Sequence, residues 1–175
     1  TINNNSAGVI QSPNDGIFNH GSIGTITNQG LILSSTYGIY NSGTIGTLNN
    51  AQGAITTSNT YGPLKYYGPL PANYNIIITS LSNYGKLEVA QSSGNTIFGI
   101  SALSTRGNGV LGSYSSIITG VSNSQLGLTG TTTTGTSNGY GYTLTESVTT
   151  LGSEVWDLTI TSAPAPVITG PSAAD

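Results

Sequence analysis

The chain has 175 residues, only 5% of them charged, with 35% hydrophobic residues, 25 glycines and a formal net charge of -3. An average globular domain carries about 25% charged residues, and intrinsic disorder needs low hydrophobicity with high net charge, so neither description fits. The only basic residues are Lys65, Lys86 and Arg106, which is no footprint for nucleic acid or anionic lipid, and the absence of cysteine removes disulfides, thiolate zinc sites and a Cys nucleophile together.

No run of about 18 apolar residues is present, so no helix is expected to span a membrane. Thr1 opens the chain without a basic n-region or an apolar h-region, so an internal segment of a longer protein is expected.

Taken in chain order, the first feature is a repeat. Gly16-Ile17-Phe18-Asn19-His20-Gly21-Ser22-Ile23-Gly24-Thr25-Ile26 aligns with Gly38-Ile39-Tyr40-Asn41-Ser42-Gly43-Thr44-Ile45-Gly46-Thr47-Leu48. The offset is about 22 residues, a period that points to a solenoid. The alignment continues to Gln29-Gly30-Leu31-Ile32 and Gln52-Gly53-Ala54-Ile55, and the copies close on Tyr37 and Tyr61. An earlier partial copy is visible in Thr1-Ile2-Asn3-Asn4, against Thr25-Ile26-Thr27-Asn28, and in Gly8-Val9-Ile10, against Gly30-Leu31-Ile32.

Within each copy the apolar residues come in pulses of two to four, bounded by Gly, Asn or Ser. These are too short and too β-branched for helices. Three short strands per rung predict a parallel β-solenoid, with Gly21, Gly30, Gly43 and Gly53 at tight or left-handed turns. Stacking at about 4.8 Å places Ile over Ile inside the coil. It also makes Asn19 over Asn41 and Asn28 over Asn50 candidates for corner ladders, with turn formation as the default role of these asparagines.

Past Tyr61 the repeat loosens. Tyr61-Gly62-Pro63-Leu64 recurs at once as Tyr67-Gly68-Pro69-Leu70 before Pro71, and a loop is expected because Pro cannot donate to a ladder. Strands resume at Tyr74–Thr79, Gly85–Val89, Asn95–Ile100 and Tyr114–Ile118, and the low-complexity run Thr129–Thr136 is expected to turn. Tyr140, Tyr142 and Leu144 alternate as on one strand face, and a second alternating strand runs from Val155 to Ile160 past the lone Trp156. Together they predict a β-hairpin with a long loop, followed by an extended Pro-rich linker. The expected organisation is rungs over 1–138, a capping hairpin over 139–162 and a linker over 163–175.

This order of parts, with the Tyr140-x-Tyr142-x-Leu144 strand, the Trp156-Asp157-Leu158-Thr159-Ile160 strand and repeats such as Ile39-Tyr40-Asn41-Ser42-Gly43-Thr44-Ile45, resembles the end of the passenger of type Va bacterial autotransporters. The resemblance implies a right-handed parallel β-helix, closed by an autochaperone region ahead of an outer-membrane β-barrel. It implies a cell-surface location and partners among host-cell or bacterial surface components, or self-association through upstream passenger, besides the barrel itself. The capping role would fall on Tyr140, Tyr142, Leu144, Trp156 and Leu158, which on a plainer view only plug the end of the core. The implied function is a non-enzymatic stalk and folding nucleus of an adhesin or self-associating protein.

Signs of chemistry are sparse. His20 is the only histidine, aligns with Ser42 and is expected at a surface turn. Asp15, Glu88, Glu146, Glu154 and Asp157 are scattered; Glu146 and Glu154 lie on opposite arms of the hairpin, where a carboxylate pair for glycoside chemistry is conceivable but an edge-protecting charge is the simpler role. The Asp-rich glycine repeat that binds calcium in some β-rolls is missing, and no metal or cofactor is expected. Two alternative functions are a polysaccharide-acting β-helix enzyme of lyase or tailspike type, and an ice-binding solenoid using Thr25, Thr27, Thr47 and Thr1 as a flat array.

Overall fold

The computed structural model describes residues 1–53, 62–148 and 154–167. Among these residues there are seventeen strands, one short 3-10 turn and no α-helix. The first turn of the coil consists of β1 (Ile2–Asn4), β2 (Val9–Ser12) and β3 (Ile17–Asn19), and the second of β4 (Ser22–Asn28), β5 (Leu31–Ser34) and β6 (Ile39–Asn41). β7 (Thr44–Asn50) opens the third turn and β8 (Leu64–Pro69) closes it. β9 (Asn73–Ile76), β10 (Ile78–Ser80), β11 (Asn83–Tyr84) and β12 (Leu87–Ser93) follow, then β13 (Ile97–Ile100), the 3-10 turn Asn108–Val110 and β14 (Gly112–Thr119). The described chain ends in β15 (Thr132–Ser137), β16 (Tyr140–Val148) and β17 (Glu154–Ser162).

Equivalent strands of successive turns pair in parallel. The first face stacks β1-β4-β7-β9-β13, the second β2-β5, and the third β3-β6-β8-β12-β14. The fold is a right-handed parallel β-helix of about four turns. Its register follows the sequence repeat: Ile2 lies beside Ile26, Val9 beside Leu31, Ile17 beside Ile39 and Ile26 beside Leu48. The second copy's Ala54, Ile55 and Tyr61 fall outside the described residues.

Alternation sends every second side chain inward. Ile26, Leu48, Tyr74 and Phe98 form one buried column; Ile17, Ile39, Tyr66 and Val89 form another. Each fully buried aliphatic or aromatic side chain contributes about 1.5–3 kcal/mol. The gap between a residue and its partner grows from 22 at Asn28/Asn50 to 26 at Asn49/Asn75, while the strands still stack.

Several local expectations change. Tyr67, Gly68 and Pro69 belong to β8, inside the third face, rather than to a loop. Pro69 is tolerated because the pairing of β8 with β6 stops at Tyr40 and Tyr67, so no strand partner of β6 is left without its N–H. Its carbonyl accepts from Asn41 Nδ2 (2.8 Å) and Tyr66 Oη (2.5 Å). Thr132–Ser137 is strand β15, not a turn. The turn falls at Asn138 and Gly139, whose φ values of 51° and 84° suit a two-residue hairpin connection, and β-branched Thr favours the strand before it. The antiparallel end therefore begins upstream of Tyr140. Residues 163–167 have no regular structure but are tied back, Gly107 N donating to Pro164 O at 3.0 Å. The rest of the linker, 168–175, and the hairpin loop, 149–153, lie outside the described residues.

The glycine expectation also needs restating. Gly53 alone of the four has a positive φ, 155°. Gly43 is required by stacking instead, since a Cβ there would sit 2.0 Å from Gly21 O in the preceding turn. Gly21 itself meets nothing within 4 Å, because no turn packs on that side of it in the structure.

Four buried tyrosines give the fold an alkaline limit. Burial pushes the Tyr66, Tyr74 and Tyr140 phenols up, and pushes Tyr114 up to about 12, with the neighbouring Tyr84 adding to the last. The folded state thus holds protons that the unfolded chain releases near pH 10, so this stability is intact below pH 10 and is lost as pH rises from there towards 12. Denaturant melts between pH 8 and pH 12 should show a flat stability up to about pH 10 and a decline beyond it of about 1.4 kcal/mol per pH unit for each such group still protonated in the fold. A flat profile to pH 12 would contradict the burial of these phenols.

Candidate functional site

The inward-facing asparagines are buried and linked from turn to turn. Asn4 Nδ2 donates to Asn28 Oδ1 (2.8 Å), and Asn28 Nδ2 donates to Asn50 Oδ1 (3.1 Å). On the third face Asn19 Nδ2 donates to Asn41 Oδ1 (2.8 Å), and Asn41 Nδ2 reaches Tyr66 Oη and Pro69 O. The same side chains also make the turns. Asn19 Oδ1, Asn41 Oδ1 and Asn50 Oδ1 each accept the backbone N–H two residues on, at Gly21, Gly43 and Gln52. Turn and ladder are therefore two halves of one amide: the oxygen shapes the corner and the nitrogen binds the next corner down. The ladder has a direction, since each nitrogen points towards the C-terminal side.

Gln52, which the sequence repeat aligns with Gln29, plays a related part. Its Oε1 accepts from Ile32 N (2.8 Å) and Asn28 Nδ2 (3.2 Å), and its Nε2 donates to Ile32 O (3.3 Å). The side-chain amide pairs with β5 as a peptide group of a further strand would. The sequence signal was the residue inserted beside it: Ala51 breaks the alignment and shifts Gln52 relative to Gln29.

The C-terminal end of the coil is closed by a different device. β17 pairs antiparallel with β14 on one side and with β16 on the other, and β15 completes the meander. Trp156 is fully buried, opposite Ile118 and Glu146, and its Nε1 donates to Val121 O (2.8 Å). Leu158 is buried between Tyr114 and Leu144. The Tyr140 hydroxyl donates to the Ser104 and Thr105 carbonyls, and half-buried Tyr142 packs edge-on against Phe98 at 5.3 Å. The structure thus brings Tyr140, Tyr142, Leu144, Trp156 and Leu158 together at one end of the core.

Asp157 faces the other way. Its Oδ1 accepts from Ser116 N at 2.6 Å, and Ser116 sits in a bulge of β14 with a φ of 53°. A non-glycine residue in that conformation costs roughly 1–2 kcal/mol, which a charge-assisted hydrogen bond offsets. The first face is closed by side chains. Ser137 Oγ accepts from Ile100 N (2.9 Å), and Asn138 Nδ2 donates to Ile100 O (2.6 Å). At the opposite end β1 and β3 are outermost in their sheets and β2 pairs only with β5.

The candidate chemical groups are not gathered. His20 is exposed, packs edge-on against Phe18 at 4.4 Å, and its Nδ1 meets Ser42 Oγ. Ser42 Oγ also donates to Asn19 O (3.1 Å). Glu146 lies opposite Trp156 and Glu154 opposite Val148, so the two acids are diagonal rather than facing. Glu88 and Asp15 are on other turns. Among the described residues no three His, Cys, Asp or Glu side chains form a group fit to hold a metal. On the outer surface of the first face, Thr25 and Thr47 are followed by Asn73 and Ile97, and Asn3, Thr27, Asn49, Asn75 and Gly99 make the second column. The threonine array is therefore interrupted after two turns.

No family model matches the chain, and no curated protein or solved structure matches it either.

Trp156→Ala should lower the unfolding free energy by about 3–5 kcal/mol, the range for removing a buried aromatic, with broadened unfolding as the cap loosens. Gln52→Leu, nearly equal in volume, should cost about 2 kcal/mol or more by leaving Ile32 N and O without their partner, while Asn28 Nδ2 keeps its bond to Asn50. Urea melts of both variants measure this. Wild-type stability in Gln52→Leu would show that the amide is not acting as a surrogate strand.

Proposed function

We propose that this chain is a non-catalytic β-helical stalk of a bacterial surface protein, the C-terminal part of an autotransporter passenger, and that its closed end is the folding nucleus. The observation that carries this reading is the closed C-terminal end, where β17 covers β14 and Ser137 and Asn138 cover β13.

A solenoid turn gains its stability from the turn beneath it. The end that first satisfies its own edge is the end from which turns propagate. Here the cap joins residues distant in sequence, such as Gly112 with Ile160, and buries the largest side chain in the chain, Trp156. Once formed it presents β12 and β8 as templates, and the asparagine ladders then fix the register of turns added towards Thr1. A passenger whose C-terminal end leaves the cell first would fold in that order, with the cap as its anchor.

Native-state hydrogen exchange on the whole chain tests the nucleus. The slowest amides should lie in β12, β14, β16 and β17, with protection declining towards β1–β3. Greatest protection in β1–β7 would refute a C-terminal nucleus. Surface location is tested separately, by antibody labelling of intact, unpermeabilised cells of the source bacterium; labelling only after permeabilisation would exclude it.

A further inference from the structure

The outer surface of the third face carries rings where solvent-facing polar residues are the norm. Phe18, Tyr40 and Tyr67 lie in register on β3, β6 and β8 and stack, with centroids 5.1 Å and 4.9 Å apart and interplanar angles of 26° and 13°. Tyr37 leans on Tyr67 at 4.9 Å and on Tyr40 at 6.3 Å. Phe18, one of only two phenylalanines in the chain, is 58% exposed. Tyr37, Tyr40 and Tyr67 are half-buried beside it. The hydrophobic effect opposes leaving a ring such as Phe18 in water, which makes this end of the row a candidate binding surface.

Beside these rings lies an open cleft of about 560 Å³, lined by Asn14, Asp15, Phe18, Thr36, Tyr37 and Tyr40, with Ser12 at its margin. The cleft is pre-organised. Asp15 Oδ1 accepts from Thr36 Oγ1 (2.5 Å) and Tyr37 N (3.3 Å), which ties the segment between β2 and β3 to that between β5 and β6. Only one carboxylate oxygen is used in this tie, so the other is left to accept from a ligand. No cationic residue lines the cleft, and Asp15 repels anions, so phosphates, nucleic acids and acidic sugars are disfavoured. A purely apolar guest would leave Asp15 and Asn14 unmatched. A ligand that suits both halves has flat C–H faces to lie on rings and hydroxyl groups to donate to a carboxylate and an amide.

We propose that this cleft binds a neutral linear glycan, with sugar C–H groups against the exposed Phe18 ring and the edges of Tyr37 and Tyr40, and hydroxyl groups bonded to Asp15 and Asn14. The assignment is independent of the folding role of the far end: the cleft belongs to the first two turns, and substitutions in it leave the cap intact.

Saturation-transfer NMR on the full chain, with neutral hexasaccharides of β-1,4-glucose, β-1,3-glucose and β-1,4-mannose as probes, tests the proposal. Transfer to at least one hexasaccharide is expected, reduced tenfold or more in affinity by Phe18→Leu, which keeps apolar volume but removes the ring, and by Tyr40→Ala. Thr134→Ala, at the opposite end of the coil, should bind as the wild type does. Thermal melts of each variant separate lost binding from lost folding, and Phe18→Leu at an exposed site should melt within a degree or two of the wild type. No transfer with any of the three probes overturns the proposal, as does binding that survives both ring substitutions or falls equally in Thr134→Ala. A failed glycan test with C-terminal exchange protection intact leaves the stalk reading standing, and the reverse result leaves the cleft standing.

Discussion

A strand edge is a row of unpaired N–H and C=O groups, and each such group left dry without a partner costs about 1–3 kcal/mol. A parallel coil answers this turn by turn, because each rung supplies the partners of the one before. It cannot answer it at the last rung. The features that distinguish this chain from a plain repeat all bear on that problem. β17 turns antiparallel to cover β14, Ser137 and Asn138 cover Ile100, Ser104 Oγ accepts from Ile78 N, and Gln52 covers Ile32. Three of these four use side chains in the place of strand backbone groups.

The same constraint explains why polar residues sit inside a core. Asn4, Asn19, Asn28, Asn41 and Asn50 are all buried, where a lone amide would be costly. At a corner the amide is not alone. The oxygens of Asn19, Asn41 and Asn50 take the local N–H, and the nitrogens of Asn4, Asn19 and Asn28 take the next amide's oxygen, so burial is matched along the stack. The ladder stops where hydrophobic residues resume. Asn50 pairs with Ile76 on the next turn, and its nitrogen is taken instead by the Gln52 and Lys86 carbonyls. Ladder and core column are thus interchangeable at the same inward position, as long as the last amide finds a backbone acceptor.

The parallel coil was legible because stacking copies apolar positions at a fixed interval: Ile17 predicts Ile39, and Ile26 predicts Leu48. The hairpin was legible from the alternation of Tyr140, Tyr142 and Leu144 and of Trp156, Leu158 and Ile160. β8 was hidden because Pro69 suggests a break, and only the register shows that the proline falls on the strand's last residue. β15 was hidden by low complexity, although the Asn138-Gly139 pair was a turn signal in plain view. The aromatic row of Phe18, Tyr40 and Tyr67 could not be seen at all from the repeat. Phe18 and Tyr40 align, but Tyr67 falls after an irregular turn, and whether the three point inward or outward depends on strand parity that the sequence left open.

The two ends of the coil differ in a way that bears on which task each can take. Covering the C-terminal end uses long-range antiparallel pairing, a fully buried Trp156 and a strained Ser116 held by Asp157. Such contacts join residues distant in sequence and hold the end of the core in one arrangement. The first turns are the opposite: their pairing repeats a pattern already set, and their special residues point outward. A surface that must meet a ligand is best placed where the fold demands least of its side chains. In this chain that is the outer third face at the first two turns, far from the strands that close the core.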